Sequence, residues 1–264
     1  MTLKARQLSA GYRGRPVLDG IDLTLQPGQL AALVGPNGSG KSTLLKCLAG
    51  LQTHQGQVTL TGQPRQSAQI GYMPQDLSAT AALSVLEAVL LGRVGRLRWQ
   101  VGDEDLAVAA AVLQRLGVDH LAQRYLTELS GGQRQMVFLA QALVAQPRVL
   151  LLDEPISALD LRHQLEVMDT VRALTIERGL VTLAVLHDLN AAVRHADDVV
   201  LLHQGRVLAQ GAPGDVLTPD ALRCAFQVDV CLLPQADGSA WIAPQPFSKA
   251  GSTDGRRRVG GHGP

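Results

Sequence analysis

Apolar residues follow one another with almost no interruption in three short stretches of the chain. They lie at residues 30–34, 149–152 and 180–186. Continuous apolar runs are typical of strands that are buried on both faces of a parallel sheet. Open sheets of this kind carry their chemistry at the carboxyl ends of the strands. The pattern therefore predicts an α/β protein with a functional edge at those ends.

Alternation and helical spacing predict the other elements. The further predicted strands are 2–9, 17–25, 57–61, 69–73, 199–202 and 206–210, and those at 57–61 and 69–73 are expected to pair as a hairpin. From Ser78 to about Pro147 apolar residues recur at helical spacing, and Asp103 is expected to N-cap one of the helices. A helical segment of roughly 70 residues between strands predicts a separate subdomain. From Ala236 the pattern fades, and residues 249–264 are predicted to be disordered.

Composition and charge narrow the possible partners. The formal net charge is +1 and aromatic residues make up 3% of the chain, which argues against a surface for binding nucleic acid. Three cysteines without metal-ligand spacing indicate a reducing compartment. The N-terminus has no apolar stretch of the signal-peptide type, and the longest apolar run, 79–91, contains Ser84 and Glu87 and is too short to span a bilayer. We therefore expect a soluble protein that reaches a membrane only through a partner.

The glycine-rich stretch GPNGSGKST follows the first apolar run and precedes a predicted helix. A strand, a glycine-rich turn and a helix start in this order are the context of a phosphate-binding P-loop. Backbone N–H groups of the turn and the helix N-terminus attract anions. Lys41 is predicted to reach the β- and γ-phosphates, and the Ser42 hydroxyl is predicted to ligate Mg²⁺. The candidate nucleotide-binding residues here are Gly35, Pro36, Asn37, Gly38, Ser39, Gly40, Lys41, Ser42 and Thr43.

Polar residues at the ends of the other apolar runs are candidates for catalysis. Asp153 and Glu154 end the second run, where they either bind Mg²⁺ and activate water or merely cap the next turn. His187 ends the third run and is either structural or a hydrogen-bond donor to the γ-phosphate. Gln75 follows Pro74, which ends the predicted strand 69–73, and is either a solvated loop residue or a residue that ligates Mg²⁺ or orients water. Together with the P-loop, these residues predict hydrolysis of a nucleotide by in-line attack of water.

Tyr12 lies in a predicted loop ahead of the P-loop. An isolated tyrosine in a turn is usually a half-buried packing residue. A tyrosine at this place also has the ring needed to stack on a purine. The residues alone leave both interpretations open.

Six motifs in one order resemble the ATP-binding subunit of ABC transporters, over nearly all of residues 1–230. The motifs are GPNGSGKST at 35–43, MPQD at 73–76, LSGGQ at 129–133, LLLDEP at 150–155, SALD at 157–160 and LHD at 186–188. The resemblance implies an α/β P-loop NTPase core with an N-terminal antiparallel β subdomain and an inserted helical subdomain. It implies one ATPase domain over 1–235, with its core at 1–75 and 147–235 and its helical subdomain at 76–146. Residues 236–264 would then form a C-terminal extension.

The resemblance also implies a role for each matching residue. Tyr12 would stack on adenine, Gln75 would sense Mg²⁺ and water, Asp153 would hold Mg²⁺, and Glu154 and His187 would act in ATP hydrolysis. The residues Ser130, Gly131, Gly132 and Gln133 would cap ATP bound by a second copy, and Asp160 would contact that copy. The expected cofactors are ATP and Mg²⁺, and the expected assembly is a head-to-tail dimer.

Four stretches, at 83–93, 159–172, 183–202 and 211–226, resemble importer ATPases for iron-siderophores, haem or cobalamin. That resemblance implies two integral-membrane permease subunits, an indirect substrate-binding protein and a place at the cytoplasmic face of the bacterial inner membrane. Among the three cargoes, Fe(III)-siderophore is the favoured expectation. Three residues depart from the common family pattern, and they are Met136, Gln141 and Ile156.

Two alternatives belong to other functional classes. A soluble ABC ATPase that acts on nucleic acid or ribosomes usually has two cassettes or a long coiled coil, and this chain shows neither. A regulatory module without hydrolysis is disfavoured because Lys41, Asp153, Glu154 and His187 are all present.

Overall fold

The computed structural model describes residues 1–12, 14–60, 63–64, 70–75, 82–93, 101–236 and 238–246. The strands are β1 Leu3–Tyr12, β2 Arg15–Leu25, β3 Gln29–Val34, β4 Gln55–Leu60, β5 Gln63–Pro64, β6 Ile70–Met73, β7 Val149–Asp153, β8 Val181–Val185, β9 Asp198–His203, β10 Arg206–Gly211, β11 Asp229–Pro234 and β12 Ala240–Gln245. The helices are α1 Lys41–Ala49, α2 Val85–Leu91, α3 Asp103–Arg115, α4 Gly131–Val144, α5 Leu161–Arg178, α6 Leu189–His195, α7 Pro213–Val216 and α8 Pro219–Phe226.

A six-stranded sheet forms the centre, in the order β10-β9-β3-β8-β7-β6. All neighbours are parallel except β10 and β9, which form an antiparallel hairpin. Every residue of β7 and β8 is buried, as their continuous apolar runs predicted. Alternate residues of β3 face two different apolar clusters, with Leu30 and Ala32 on one side and Ala31 and Leu33 on the other. The sheet is therefore covered on both faces.

The two covering layers differ in kind. On one face α1 packs together with an antiparallel sheet of order β2-β1-β4-β5. On the other face lie α4, α5 and α6, and the same apolar cluster continues into α2 and α3. The predicted α/β fold with an antiparallel N-terminal sheet is thereby confirmed. Because the described part of α2, α3 and α4 shares the cluster with the core, burial alone draws no boundary between core and helical segment.

Three local expectations were wrong. β6 pairs in parallel with β7 and belongs to the central sheet, so it is not the hairpin partner of β4. Tyr12 ends β1 opposite Arg15 and does not lie in a loop. Helix α3 begins at Asp103 itself, with Gly102 as its N-cap, because the Asp105 carboxylate accepts a hydrogen bond from the Gly102 N–H at 3.3 Å.

A C-terminal hairpin was missed by the sequence pattern. β11 and β12 pair over six residues each, and Ile242 of β12 is only 3% exposed. The Asn190 side chain of α6 donates from Nδ2 to the Ile242 carbonyl at 3.1 Å and accepts from the Ile242 N–H at 2.8 Å. A strand docked by one side chain from a distant helix leaves little signal in its own sequence. The predicted disorder from residue 249 lies outside the described residues.

We expect Asn190→Ala to release this hairpin. Both hydrogen bonds to Ile242 are lost, which should cost about 1–3 kcal/mol in the free energy of unfolding. The local readout is hydrogen exchange of the Ile242 amide, which should become faster. Asn190→Asp is the matched control, because its carboxylate still accepts from the Ile242 N–H and should preserve part of the protection. Unchanged exchange at Ile242 in the alanine variant would contradict the docking role.

No helix in the described ranges is both long and apolar enough to cross a membrane.

Candidate functional site

The P-loop connects the end of β3 to the start of α1, as its sequence context predicted. Its backbone is tightly enclosed at two glycines. A Cβ on Gly35 would lie 2.1 Å from the Leu202 carbonyl oxygen of β9. Gly40 has a φ of 106°, and a Cβ there would lie 2.7 Å from a methyl group of Leu18. Only glycine fits these two positions, so the packing of the loop against β2 and β9 fixes its shape.

Lys41 is the first residue of α1 and is 7% exposed. Its Nζ donates hydrogen bonds to the carbonyl oxygens of Gly35 at 2.8 Å and Pro36 at 3.0 Å. Burial lowers the pKa of Lys41 from its ordinary value, and the negative charges of Glu154 and Asp153 oppose that change. A buried ammonium whose two partners are neutral carbonyl oxygens is well suited to exchange them for charged phosphate oxygens.

A second polar group of the loop, the Ser39 hydroxyl, is buried without a hydrogen bond among the described residues. Ser39 is 3% exposed. Buried hydroxyls are normally hydrogen-bonded, so the side chain of Ser39 is an incompletely satisfied polar group of the loop, although Ser39 does not line the cavity beside it. It is the Lys41 ammonium that suits the P-loop to the triphosphate that its sequence predicts.

Asp153 and Ser42 form a pair of oxygen donors beside the loop. The Ser42 hydroxyl donates to Asp153 Oδ1 at 3.2 Å. Asp153 is 1% exposed, and burial raises the pKa of its carboxyl, while the hydrogen bond from Ser42 lowers it. A hydroxyl and a carboxylate are ligands that Mg²⁺ takes together with water and phosphate oxygens. These residues therefore fit the predicted metal position.

Glu154 is held by two side chains that follow β6 and β8, the strands on either side of β7. Gln75, which follows β6, donates from Nε2 to Glu154 Oε1 at 2.6 Å. His187, which follows β8, places its Nε2 2.6 Å from the same Oε1 and, with that nitrogen protonated, donates to it. The Glu154 side chain is 14% exposed and the His187 side chain 45%. Because β8, β7 and β6 are neighbours, three separate motifs meet at one carboxylate.

The backbone of Glu154 is unusual, with a φ of 57°. This left-handed conformation is uncommon for a residue other than glycine and clusters at functional sites. Glu154 lines the same cavity as Lys41 and Ser42 of the P-loop.

An open cavity of about 740 Å³ collects these groups. It is lined by Val17, Asn37, Gly38, Gly40, Lys41, Ser42, Thr43, Gln75, Glu154 and His187. Tyr12 is a described residue that lies outside this lining and is 44% exposed. The structure thus brings the P-loop and the candidate catalytic side chains together, whereas stacking of adenine on Tyr12 stays a prediction.

The LSGGQ motif lies elsewhere in the same chain. Ser130 N-caps α4 and forms a reciprocal capping box with Gln133, with hydrogen bonds of 3.2 and 3.1 Å. Asp160 N-caps α5 by accepting from the His163 N–H at 2.9 Å. A second cavity of about 710 Å³ is lined by Ser130, Gly131, Gly132, Gln133 and Asp160 among others. One chain therefore does not bring the LSGGQ motif to its own P-loop.

Sequence reasoning overlooked Gln135, which lies two residues beyond the LSGGQ motif. It is 2% exposed, and its Nε2 donates to the Glu154 carbonyl oxygen at 2.7 Å. A polar residue among the apolar positions of α4 was the signal available in the sequence.

Comparison with known proteins gives a consistent result. A family model described as ABC transporter matches residues 18–157. The achromobactin transport ATP-binding protein CbrD of Dickeya dadantii is 39% identical, over 88% of this chain and 90% of that protein. The hemin import ATP-binding protein HmuV of Bordetella avium is 41% identical, over 89% and 95%. The cobalamin import ATP-binding protein BtuD of Halobacterium salinarum is 38% identical, over 100% and 68%.

Solved structures agree with these relatives. A metal-chelate type ABC transporter in an inward-facing conformation has a chain with a TM-score of 0.81 and 31% identity, covering 94% of this chain and 98% of that chain. The dimeric bacterial ABC transporter cassette MJ0796 has a TM-score of 0.73 and 26% identity, covering 80% and 98%. The family model, the relatives and the P-loop site agree, and the chain belongs to the ABC transporter family as one of its ATP-binding proteins, which are ATPases coupled to transport.

Proposed function

We propose that this chain is the ATP-hydrolysing subunit of an importer of metal chelates, with Fe(III)-siderophore as the first candidate cargo and haem and cobalamin next. The observation that carries the importer class is the similarity, at about 40% identity, to proteins named for transport of achromobactin, hemin and cobalamin. The observation that supports hydrolysis is the meeting of Gln75, Glu154 and His187 at the P-loop cavity.

The proposed chemistry follows from the positions of the side chains. The P-loop N–H groups and Lys41 bind the phosphates, and Ser42, Asp153 and Gln75 hold Mg²⁺. When bound, Mg²⁺ neutralises negative charge on the phosphate oxygens. Glu154 orients a water molecule and accepts its proton, while Gln75 and His187 hold the carboxylate in place. The structure supplies position and electrostatics, which dominate catalysis of phosphoryl transfer.

The proposed assembly is a head-to-tail dimer. Ser130–Gln133 lie away from the P-loop of their own chain, at the N-terminus of α4, where backbone N–H groups attract anions. The second copy would bring this motif, with Asp160 beside it, to the γ-phosphate. The similarity to a dimeric cassette supports this arrangement.

The proposed partners are two permease subunits and, indirectly, a substrate-binding protein. The site of action is the cytoplasmic face of the inner membrane, which the chain reaches through the permease. The core at 1–75 and 147–235, the helical subdomain at 76–146 and the extension at 236–264 remain our proposed division of the chain. Gln75 lies where core and helical segment join, so movement there is the proposed link to the permease.

Uptake of metal chelates by a bacterial strain that lacks this chain tests this function. The strain is supplied in turn with radiolabelled Fe(III)-siderophore, haem and cobalamin, and is complemented with wild type or Glu154→Gln. We expect wild type to restore uptake of one class of chelate and Glu154→Gln to leave it at the background. Recovery of the chain from detergent-solubilised membranes without any permease, together with normal uptake of all three labels in the deletion strain, would refute the importer.

A further inference from the structure

Gln135 is a buried amide that uses both ends of its side chain. Its Nε2 donates to the Glu154 carbonyl oxygen at 2.7 Å, and its Oε1 accepts from the Ala158 N–H at 3.2 Å. The residue is 2% exposed, while the buried positions that follow on α4 are apolar. Burying an amide is unfavourable unless its hydrogen bonds are made, so these two contacts explain why the position is polar.

The two contacts span the turn that carries the candidate general base. The turn runs from Glu154 to Leu159, and its first residue has the left-handed φ of 57°. Such a backbone conformation persists only when the surroundings hold it. Within the turn, the Ser157 hydroxyl also donates to the Glu154 carbonyl oxygen, at 3.2 Å. Gln135 thus reaches the Glu154 carbonyl oxygen from a different element, α4.

That element is the helix of the LSGGQ motif. α4 begins directly after Ser130, and Gln135 lies five residues further along the same helix. Gly132 packs against the same turn, because a Cβ there would lie 2.9 Å from a methyl group of Leu159. A helix transmits displacement of its N-terminus along its axis, since its hydrogen bonds make it a stiff element. A rigid displacement of α4 would therefore move Ser130 and Gln135 together, and with Gln135 its hydrogen bond to the Glu154 carbonyl oxygen.

We propose that Gln135 is a positioning residue that couples the LSGGQ helix to Glu154, so that the rate of ATP hydrolysis depends on where that helix stands. The proposal rests on the proposed function, in which Ser130–Gln133 contact ATP bound by a second copy. Occupancy of one nucleotide site would then set the geometry of the base in the other. Gln135 itself touches neither nucleotide nor water in this scheme.

Two substitutions separate the contacts of Gln135. Gln135→Glu is nearly isosteric and keeps an acceptor for the Ala158 N–H, but it sets an oxygen against the Glu154 carbonyl. Gln135→Met keeps the length of the side chain and removes both hydrogen bonds. We expect each to lower kcat for ATP hydrolysis by about tenfold to a hundredfold, because a displacement of about 1 Å at the reacting groups has effects of that size. KM for ATP and the affinity for a fluorescent ATP analogue should stay within about twofold, since the P-loop is untouched.

Gln164→Met is the matched control. Gln164 of α5 donates from Nε2 to the carbonyl oxygens of Ile156 at 3.2 Å and Leu159 at 3.0 Å. It anchors the same turn, but from another helix and without contact to Glu154. We expect kcat of Gln164→Met to stay within about threefold of wild type, a change too small for a lost transition-state contact.

Each outcome decides the question. A selective fall of kcat in both Gln135 variants supports the coupling. Wild-type kcat in folded Gln135→Met overturns it. If that variant fails to fold by circular dichroism, wild-type kcat in Gln135→Glu at about pH 9 decides the matter in the same way, because the ionised carboxylate does not donate to the Glu154 carbonyl oxygen. An equal fall of kcat in Gln164→Met overturns it as well, because simple anchoring of the turn would explain both. A wild type that neither binds nor hydrolyses ATP would refute the proposed function itself, which is a separate result.

Discussion

Glu154→Gln is expected to lower kcat for ATP hydrolysis by about 10²–10⁴-fold, the usual contribution of a general base. The amide keeps the size of the side chain but does not accept a proton from water. Gln75 and His187, which both lie 2.6 Å from Glu154 Oε1, would lose their charged acceptor. Lys41 and the P-loop are unchanged, so ATP should still bind and should hold the chain as a stable ATP-bound dimer. Steady-state hydrolysis and size-exclusion chromatography with ATP and Mg²⁺ measure the two effects.

Glu104→Gln is the matched control for this substitution. Glu104 is exposed in the first turn of α3 and lies outside the lining of both the P-loop cavity and the cavity at the LSGGQ motif. Its replacement removes one carboxylate of the same type and should leave kcat unaltered. Turnover like that of wild type in Glu154→Gln would refute the role of Glu154, and loss of ATP binding in that variant would point to a structural role.

Lys41→Ala is expected to weaken ATP binding by about tenfold to a hundredfold, the effect of losing hydrogen bonds from a charged group. The ammonium lies buried at the start of α1 and is held by two carbonyl oxygens of the P-loop. Removing it also removes the positive charge that faces Asp153 and Glu154 in the buried site. Without the ammonium, less positive charge would offset the repulsion between those carboxylates and the triphosphate. Titration with a fluorescent ATP analogue measures the change in affinity.

Lys4→Ala on β1 is the control for the loss of one lysine charge. Lys4 is exposed and lies outside the lining of the P-loop cavity. Its replacement should change ATP affinity little. Equal affinity in wild type and Lys41→Ala, with both proteins folded, would contradict the phosphate-binding role of the P-loop.

The prediction on ATP binding and the prediction on ATP hydrolysis depend on different parts of the chain. P-loop binding involves one continuous segment, 35–43, whose glycines and lysine are all adjacent in sequence. The cluster at Glu154 involves three segments that approach only when β6, β7 and β8 are neighbours in the sheet. The places of Gln75, Glu154 and His187 after predicted strands made them candidates, and the resemblance to a family implied their roles, whereas the contacts at 2.6 Å came from the sheet.

The features that the sequence did not predict also depend on contacts between distant segments of the chain. β12 was not expected, because its burial depends on Asn190, which lies 52 residues before Ile242. Gln135 was not expected, because its polar partners are backbone groups of the Glu154–Leu159 turn. β6 was assigned the wrong partner, because a short strand followed by a turn signal looks the same in a hairpin and at the edge of a parallel sheet. Side chain–backbone contacts over such separations leave no periodic pattern.

The sequence by itself determined the buried strands β3, β7 and β8 and the phosphate-binding loop, because these depend on apolar runs and glycines within a few residues of one another. The sequence also indicated family membership, since six motifs occur in one order. Only the tertiary structure decided which side chains reach Glu154, how Gln135 holds its backbone and why the LSGGQ motif lies apart from its own P-loop. Those features depend on strand order and on the packing of α4 against the turn after β7, which join residues far apart in the chain.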